Sequence, residues 1–423
     1  MNDSMNDLKN IYLDNAASTK VRDEAVEAMV RVMKDIYGNP SSMHRFGRQA
    51  GVELENARAN VASALGADSN NMYFTSGGTE ANNWAILGAA QNIMRKGNRK
   101  QDRRHIITSA TEHSAVLDPI KMLESKGWEV TYLPPDSSGR ISSEAFSNAL
   151  RDDTALASIM LVNNEVGAVN PVGDYSREIK QRGLATILHT DAIQGLCKIP
   201  FSVKSLGADL VTVSSHKLHG PKGVGAIYIK DKIKLTPLIL GGNHEKGLRG
   251  GTEALPAAVG FGVAARLGMS EFINTAATVC DLRECMSGLI KTHVPGVIFI
   301  GESGIEEGGG SIGEGVSAEG DSSISEGGGS LFDRYSPFIL CISLPGFMSE
   351  TLMNFLDEKG IFVSRSAACK KGARSRTLEA MRLNSDVIDG SLRVSFSRYS
   401  TREEVEYFVR MLKEASETLY KKF

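Results

Sequence analysis

Residues 209–226 read DLVTVSSHKLHGPKGVGA. A branched apolar run of strand length stops at Ser214, and two hydroxyls, an imidazole and an amine follow at once: Ser214, Ser215, His216 and Lys217. A glycine- and proline-bearing turn then leads into a second apolar run, GAIYIK (225–230). Strands that end in polar, chemistry-bearing residues are typical of open α/β sheets, whose ligand sites lie beyond the carboxyl ends of the strands. Whether this is such a sheet depends on what surrounds the stretch.

Working outward, five more runs read as strands: MYFT (72–75), HIIT (105–108), WEVTYL (128–133), ALASIMLV (155–162) and ATILHTD (185–191). Segments such as TEANNWAILGAAQNIMR and SAVLDPIKMLESKG separate them, with apolar residues at three- and four-residue spacing that predicts helices. Strand and helix in alternation predict a mostly parallel seven-stranded sheet covered on both faces. The fold class is therefore α/β, with a large domain over residues 21–265. A smaller α+β domain takes residues 1–20 and 266–423, with strands at GVIFI, PFILCISL, IFVS and LRVSFS, and a C-terminal helix from Arg402. Within it, residues 301–330 are so rich in Gly, Ser and Glu that nothing can be buried, and they read as a disordered insertion.

At 423 residues the chain is long enough for two cores. Its 48 basic and 50 acidic residues nearly cancel, which argues against nucleic acid as the main substrate. The first ten residues, MNDSMNDLKN, lack the apolar core of a signal peptide, and no uninterrupted apolar run approaches membrane length, so a cytoplasmic enzyme without direct membrane contact is expected. Five cysteines, an odd number without a zinc-like doublet pair, indicate neither a disulfide framework nor a metal site. Cys280 and Cys285 fit a helix and Cys341 a strand interior, all structural.

The strand ends carry the chemistry. FTSGGTEANN runs from a strand through Gly78 and Thr79 into a helix, either as a phosphate cradle or with Thr79 as an ordinary cap. His113 follows another strand, and Asp191 closes a third, with Gln194 three residues on. A carboxylate after an apolar run needs a partner. Lys217 is either solvated or the amine that forms a Schiff base. Pyridoxal 5'-phosphate would use all of these: a lysine for its aldehyde, a carboxylate for its pyridinium nitrogen, and hydroxyls and amides for its phosphate.

The stretches YLDNAAST, YGNPSSMHRFG, FTSGGTEANN, HIITSATEHSAVL, VNNEVGAV, HTDAIQ, SSHKLHGPKGVGA, GGNHEKGLRGGT and LRVSFSRYS occur in one order along nearly the whole chain. In them the chain resembles the cysteine desulfurases of the class V aminotransferase family, pyridoxal-phosphate enzymes of fold type I. The resemblance implies that Lys217 is the Schiff-base lysine and base, that Asp191 partners the pyridinium, that Gln194 lies near the ring hydroxyl and that His113 stacks on the ring. It further implies phosphate ligands at Gly78, Thr79, Ser214 and His216, and a homodimer in which Thr252 reaches the partner's phosphate. Asn164 and Arg393 would hold the α-carboxylate of L-cysteine.

The resemblance also gives a role to Cys369, in SRSAACKKGARSR (364–376), where nothing can bury a thiol. It would take the substrate's sulfur as a persulfide and pass it to an acceptor such as an iron–sulfur scaffold protein, with tRNA thiolation not excluded. Arg365, Lys370, Lys371, Arg374 and Arg376 supply the positive surround that favours a thiolate. Relatives commonly carry Ser-Ser-Gly-Ser-Ala-Cys-Thr here, and Arg365 and Ala367 depart from that pattern. The rival readings are a selenocysteine lyase or other pyridoxal-dependent enzyme of the same family, and a catalytically inactive regulator.

Overall fold

The computed structural model describes residues 10–96, 103–301, 331–365 and 374–421. β1 (Ile11–Tyr12) opens the described chain, and seven strands follow: β2 (Met72–Thr75), β3 (His105–Ser109), β4 (Glu129–Leu133), β5 (Thr154–Ser158), β6 (Ile187–Asp191), β7 (Leu210–Ser214) and β8 (Gly225–Ile229). They form one sheet in the order β2-β8-β7-β6-β5-β3-β4, parallel except that β8 runs against both of its neighbours. The mostly parallel seven-stranded α/β sheet is thus present.

Side chains alternate between two apolar layers, as the two-residue period of a strand demands. Ile106, Leu156, Leu210 and Ile227 face a core built with Trp84, Ile86 and Ile120, whereas Ile107, Ala157, Val211 and Ala226 face one built with Leu54, Val61, Phe146 and Phe261. Each such side chain, once buried, contributes about 1.5–3 kcal/mol. The spans agree to within one or two residues except at β5, which ends at Ser158, not Val162. Ile159 and Leu161 still donate to His189 and Asp191, but the chain then closes an isolated bridge between Val162 and Val169 and leaves the ladder.

A second sheet has β9 (Ile298–Ile300), β10 (Ile339–Ser343), β12 (Ser364–Arg365) and β13 (Ser391–Ser395) in the order β12-β13-β10-β9, all antiparallel. Its core includes Leu340, Ile342, Leu392, Val394, Phe408 and Leu412, with helices Phe272–His293, Ser349–Glu358 and Arg402–Thr418. β1 pairs in parallel with β11 (Ile361–Phe362), and Asp14 bridges to Ser395. The N-terminal segment therefore runs from this second sheet toward the carboxyl ends of the first. Cys280 and Cys341 are buried, in a helix and in β10. Cys369 and all of 302–330 lie outside the described residues.

Candidate active site

The carboxyl ends of β2, β3, β6 and β7 carry the candidate residues to one side of the sheet. β2 turns through Gly77 into the helix starting at Gly78, which continues through a π turn to Lys96. Thr79 does not cap this helix: Gly77 occupies that position and no side chain caps it, so the cap reading is corrected. The reason is local, since Thr79 already lies within the first turn. A Cβ on Gly78 would come within 2.3 Å of Ile193 and 3.4 Å of Ser214, so the missing side chain lets the helix start close against the end of β7. Thr79 is exposed, leaving its hydroxyl and the first amides facing outward.

His113 caps the helix Ser114–Glu124, its Nδ1 accepting from Ala115 N–H at 3.1 Å, so the neutral ring carries its proton on Nε2. Its pKa is drawn below the usual histidine value, first by desolvation and then by Lys217 and Arg376, with Asp191 opposing. Asp191, buried at the end of β6, accepts at Oδ1 from Ile193 N–H (2.9 Å) and at Oδ2 from Asn82 Nδ2 (2.7 Å). Burial raises its pKa, while those two donors, His113 and Lys217 hold it down. The imidazole and the lysine amine thus both lie close enough to act on one carboxylate.

Lys217 ends a short helical turn after β7. Its ammonium donates to the carbonyls of Ala16 (2.7 Å) and Ala17 (2.8 Å). Ala16 O also accepts from Gln194 Nε2 (2.8 Å), and Gln194 Oε1 accepts from the buried Lys198 (3.0 Å). Desolvation, with Lys217 and Arg393 nearby, lowers Lys198 to about 7. His216 Nδ1 lies 3.4 Å from Ser18 Oγ; burial, Lys217, Lys222 and Lys198 push its pKa down to about 4, so it is neutral. Thr252 is exposed in the turn before the helix Leu255–Ser270.

On the second sheet, the buried Arg393 donates from Nη2 to Asp14 Oδ1 (2.8 Å) and from Nη1 to Asn164 O (2.9 Å). It is the carbonyl of Asn164, not its amide, that this bond uses. Arg393 Nε has no hydrogen-bond partner among the described residues. Ser364 pairs with Arg393 across β12 and β13, and Ser375 and Thr377 donate to Glu165, next to Asn164. The chain on either side of residues 366–373 is therefore tied beside Arg393 and Asn164.

The sequence reading missed Asn82, Asp14, Glu165, Lys198 and the carbonyls of Ala16 and Ala17. Main-chain carbonyls have no residue signature, and Asn82 within TEANN looks like any polar helix position. The remaining signal is the first asparagine of that motif and the aspartate of YLDNAAST.

A sheet of this topology with a lysine, a buried carboxylate and an imidazole at its carboxyl edge defines the fold type I class of cofactor-dependent enzymes. The aminotransferase class-V family model matches residues 11–300 and 331–408, and the chain belongs to that family. It is 37% identical over 417 residues to a cysteine desulfurase IscS of Methanosarcina thermophila, covering 97% of this chain and 93% of that protein. A cysteine desulfurase IscS of Dictyoglomus turgidum is 36% identical, covering 97% and 95%. Among solved structures, a NifS-like protein superposes with a TM-score of 0.84 at 34% identity, covering 97% of this chain and all of that one. SspA, solved in complex with cysteine, gives 0.75 at 30% identity, covering 93% and 100%.

Proposed function

We propose that this chain is a pyridoxal-phosphate-dependent cysteine desulfurase: it converts L-cysteine to L-alanine, leaves the sulfur as a persulfide on Cys369, and hands it to an acceptor protein. The observation that carries the reading is the buried Asp191, whose oxygens are met by neutral donors alone, beside a lysine amine and an imidazole at the same sheet edge. The donor set fits the cofactor. The helix that opens at Gly78 starts against the end of β7, where the first-turn amides with Thr79, Ser214 and His216 would hold the phosphate, and Asp191 suits a protonated ring nitrogen. Bound there, pyridoxal phosphate supplies an electron sink for charge developing on the substrate's carbon skeleton.

The chain's own residues do the rest. Gln194, fixed by Ala16 O and Lys198, would lie near the ring hydroxyl, and His113 would stack on the ring. Lys217, now held by the carbonyls of Ala16 and Ala17, would hold the cofactor's aldehyde, and its amine would take the substrate's Cα proton. Arg393, oriented by Asp14 and Asn164, grips the substrate α-carboxylate together with Asn164. Cys369 as thiolate attacks the substrate sulfur: the S–S bond forms, the Cβ–S bond breaks with its electron pair going to carbon, and that carbon takes a proton to give alanine. No outside oxidant is consumed.

The enzyme acts as a homodimer with Thr252 completing the partner's phosphate site, in the cytoplasm, supplying an iron–sulfur scaffold protein or tRNA thiolation. No helix among the described residues is long and apolar enough to cross a membrane. The test is anaerobic incubation of the holoenzyme with L-cysteine, following alanine and intact mass in wild type and Cys369→Ser. Alanine and one added sulfur atom in wild type alone support the reading. Equal alanine from both, or none from either, overturns it.

A further inference from the structure

Behind Asp191 lies a run of buried polar side chains that the chemistry above does not use. In the register of the sheet Ser158 stands opposite His189, and Asp191 stands opposite Thr212. Since His189 and Asp191 are two residues apart on β6, all four point to the same face. That face is the one covered by the helix carrying Asn82. The contacts are continuous: Ser158 Oγ to His189 Nδ1 at 2.8 Å, His189 Nε2 to Thr212 Oγ1 at 3.2 Å, Thr212 Oγ1 to Asn82 Oδ1, and Asn82 Nδ2 to Asp191 Oδ2 at 2.7 Å. Ser158, His189, Thr212 and Asn82 are all fully buried.

The direction of every proton in this run is fixed by elimination. An ionised carboxylate only accepts, so Asn82 presents its NH₂ to Asp191 and its oxygen to Thr212. Thr212 has one proton and gives it to Asn82, so toward His189 it can only accept. His189 therefore carries its hydrogen on Nε2. Burial drives the His189 pKa down to about 3, so the ring is neutral, its Nδ1 is an acceptor, and Ser158 must donate to it. Four donors point one way, each polarising the next toward the carboxylate.

Resting on the cofactor reading of Asp191, we infer that the chain Ser158→His189→Thr212→Asn82→Asp191 holds Asp191 as an anion in an apolar site for the ring nitrogen, with Asn82, Thr212 and His189 as positioning residues. A cation in Asn82's place would stabilise the anion too, but it would compete with the pyridinium for it. Neutral donors stabilise the charge without cancelling it.

The test compares two ligands on the apo enzyme: pyridoxal phosphate and its deaza analogue, in which carbon replaces the ring nitrogen. Asn82→Leu removes the last donor and Thr212→Val the one before it, both with little change of shape, while His189→Gln keeps an N–H toward Thr212. Equilibrium titration by absorbance should show Asn82→Leu weakening pyridoxal phosphate by about 10- to 100-fold, the range for a lost hydrogen bond to a charged group. Thr212→Val should weaken it less, and His189→Gln should stay near wild type. Binding of the deaza analogue should be unchanged throughout. Equal losses for both ligands would mark a merely structural role and overturn the inference, as would no loss for either. Asp191→Asn is the reference: if it too leaves the ratio of the two ligands unchanged, the cofactor reading of Asp191 fails with it. If it shifts the ratio and Asn82→Leu does not, only the donor chain fails.

Discussion

Two regions of the molecule bury ionised groups in opposite ways. On the flank of the large sheet, Arg58 of the helix Arg45–Ala64 meets Glu245 through two bonds, Nη1–Oε2 at 2.6 Å and Nη2–Oε1 at 2.9 Å. Glu245 Oε2 also accepts from Phe74 N–H, Arg58 also donates to Met72 O, and the Phe74 ring lies 4.9 Å from the guanidinium carbon. Every charge in that knot is answered within the chain, and it joins a helix, β2 and a tight turn in which Glu245 itself has φ 46°. At the sheet's carboxyl edge Asp191 receives only neutral hydrogen-bond donors from the described residues. A closed pair serves architecture, whereas a buried anion held by neutral donors and left without a bonded countercharge is prepared for one that arrives from outside. Lys198 is intermediate, a buried cation hydrogen-bonded to one neutral partner, Gln194.

The sharpest way to widen this contrast is at the open end. Lys217→Ala should lower alanine formation by about 10²- to 10⁴-fold or more, the scale of losing a general base, with the apo fold intact. Steady-state assays alongside far-UV circular dichroism check this, and retained turnover would remove Lys217 from the chemistry. At the closed end the effect should fall on stability. Glu245→Gln leaves Arg58 buried with its partner's charge gone, and should cost about 3–5 kcal/mol in urea unfolding. The double replacement Arg58→Met with Glu245→Leu should recover most of that loss. A single-variant cost below about 1 kcal/mol, the scale of an exposed pair, would show that the knot is not what joins those elements.

The smallest effect is expected at Lys198, and it depends on pH. Its folded pKa, about 7, lies below the value of an unfolded lysine, so between about 7 and 10.5 the unfolded chain binds the extra proton and stability rises with pH. Below pH 7 the buried charge is present in the native state and its full cost is felt. Lys198→Met should therefore be more stable than wild type at pH 6, by at least the ~1.4 kcal/mol of one pKa unit, and the advantage should shrink through pH 9. Melting curves of the two proteins across that range decide it; a constant difference would mean that Lys198 does not titrate there.

Much of this architecture was legible before any coordinates, for a physical reason. Strands buried on both faces must be largely apolar, so HIIT, DLVTVS and GAIYI announce themselves; charged groups collect where such strands stop, and the polar residues inside them, such as Thr212, are hydrogen-bonded. That is why Lys217, Asp191 and His113 could be picked out one by one. Asn82 could not, because its meaning comes from Asp191, 109 residues away, and from the angle at which one helix crosses two strands. Asp14 was hidden likewise: its partner Arg393 is 379 residues further on. Even the cap position at Gly77 turned on a two-residue register that residue types alone leave open between Gly77 and Thr79.

The carbonyls that hold Lys217 belong to Ala16 and Ala17, in a segment whose own strand partners are Ile361, Phe362 and Ser395. As the ribosome delivers the chain, these early residues must wait for some of the last to emerge, and the large sheet can form long before its reactive amine is secured. The site is therefore assembled late, after the scaffold that surrounds it. A nascent or prematurely ended product that stops short of residue 361 has the sheet, the lysine and the aspartate, yet lacks both the strand that seats residues 11–17 and the arginine that grips the substrate. An unfinished chain thus carries its reactive amine without the contacts that hold it in place.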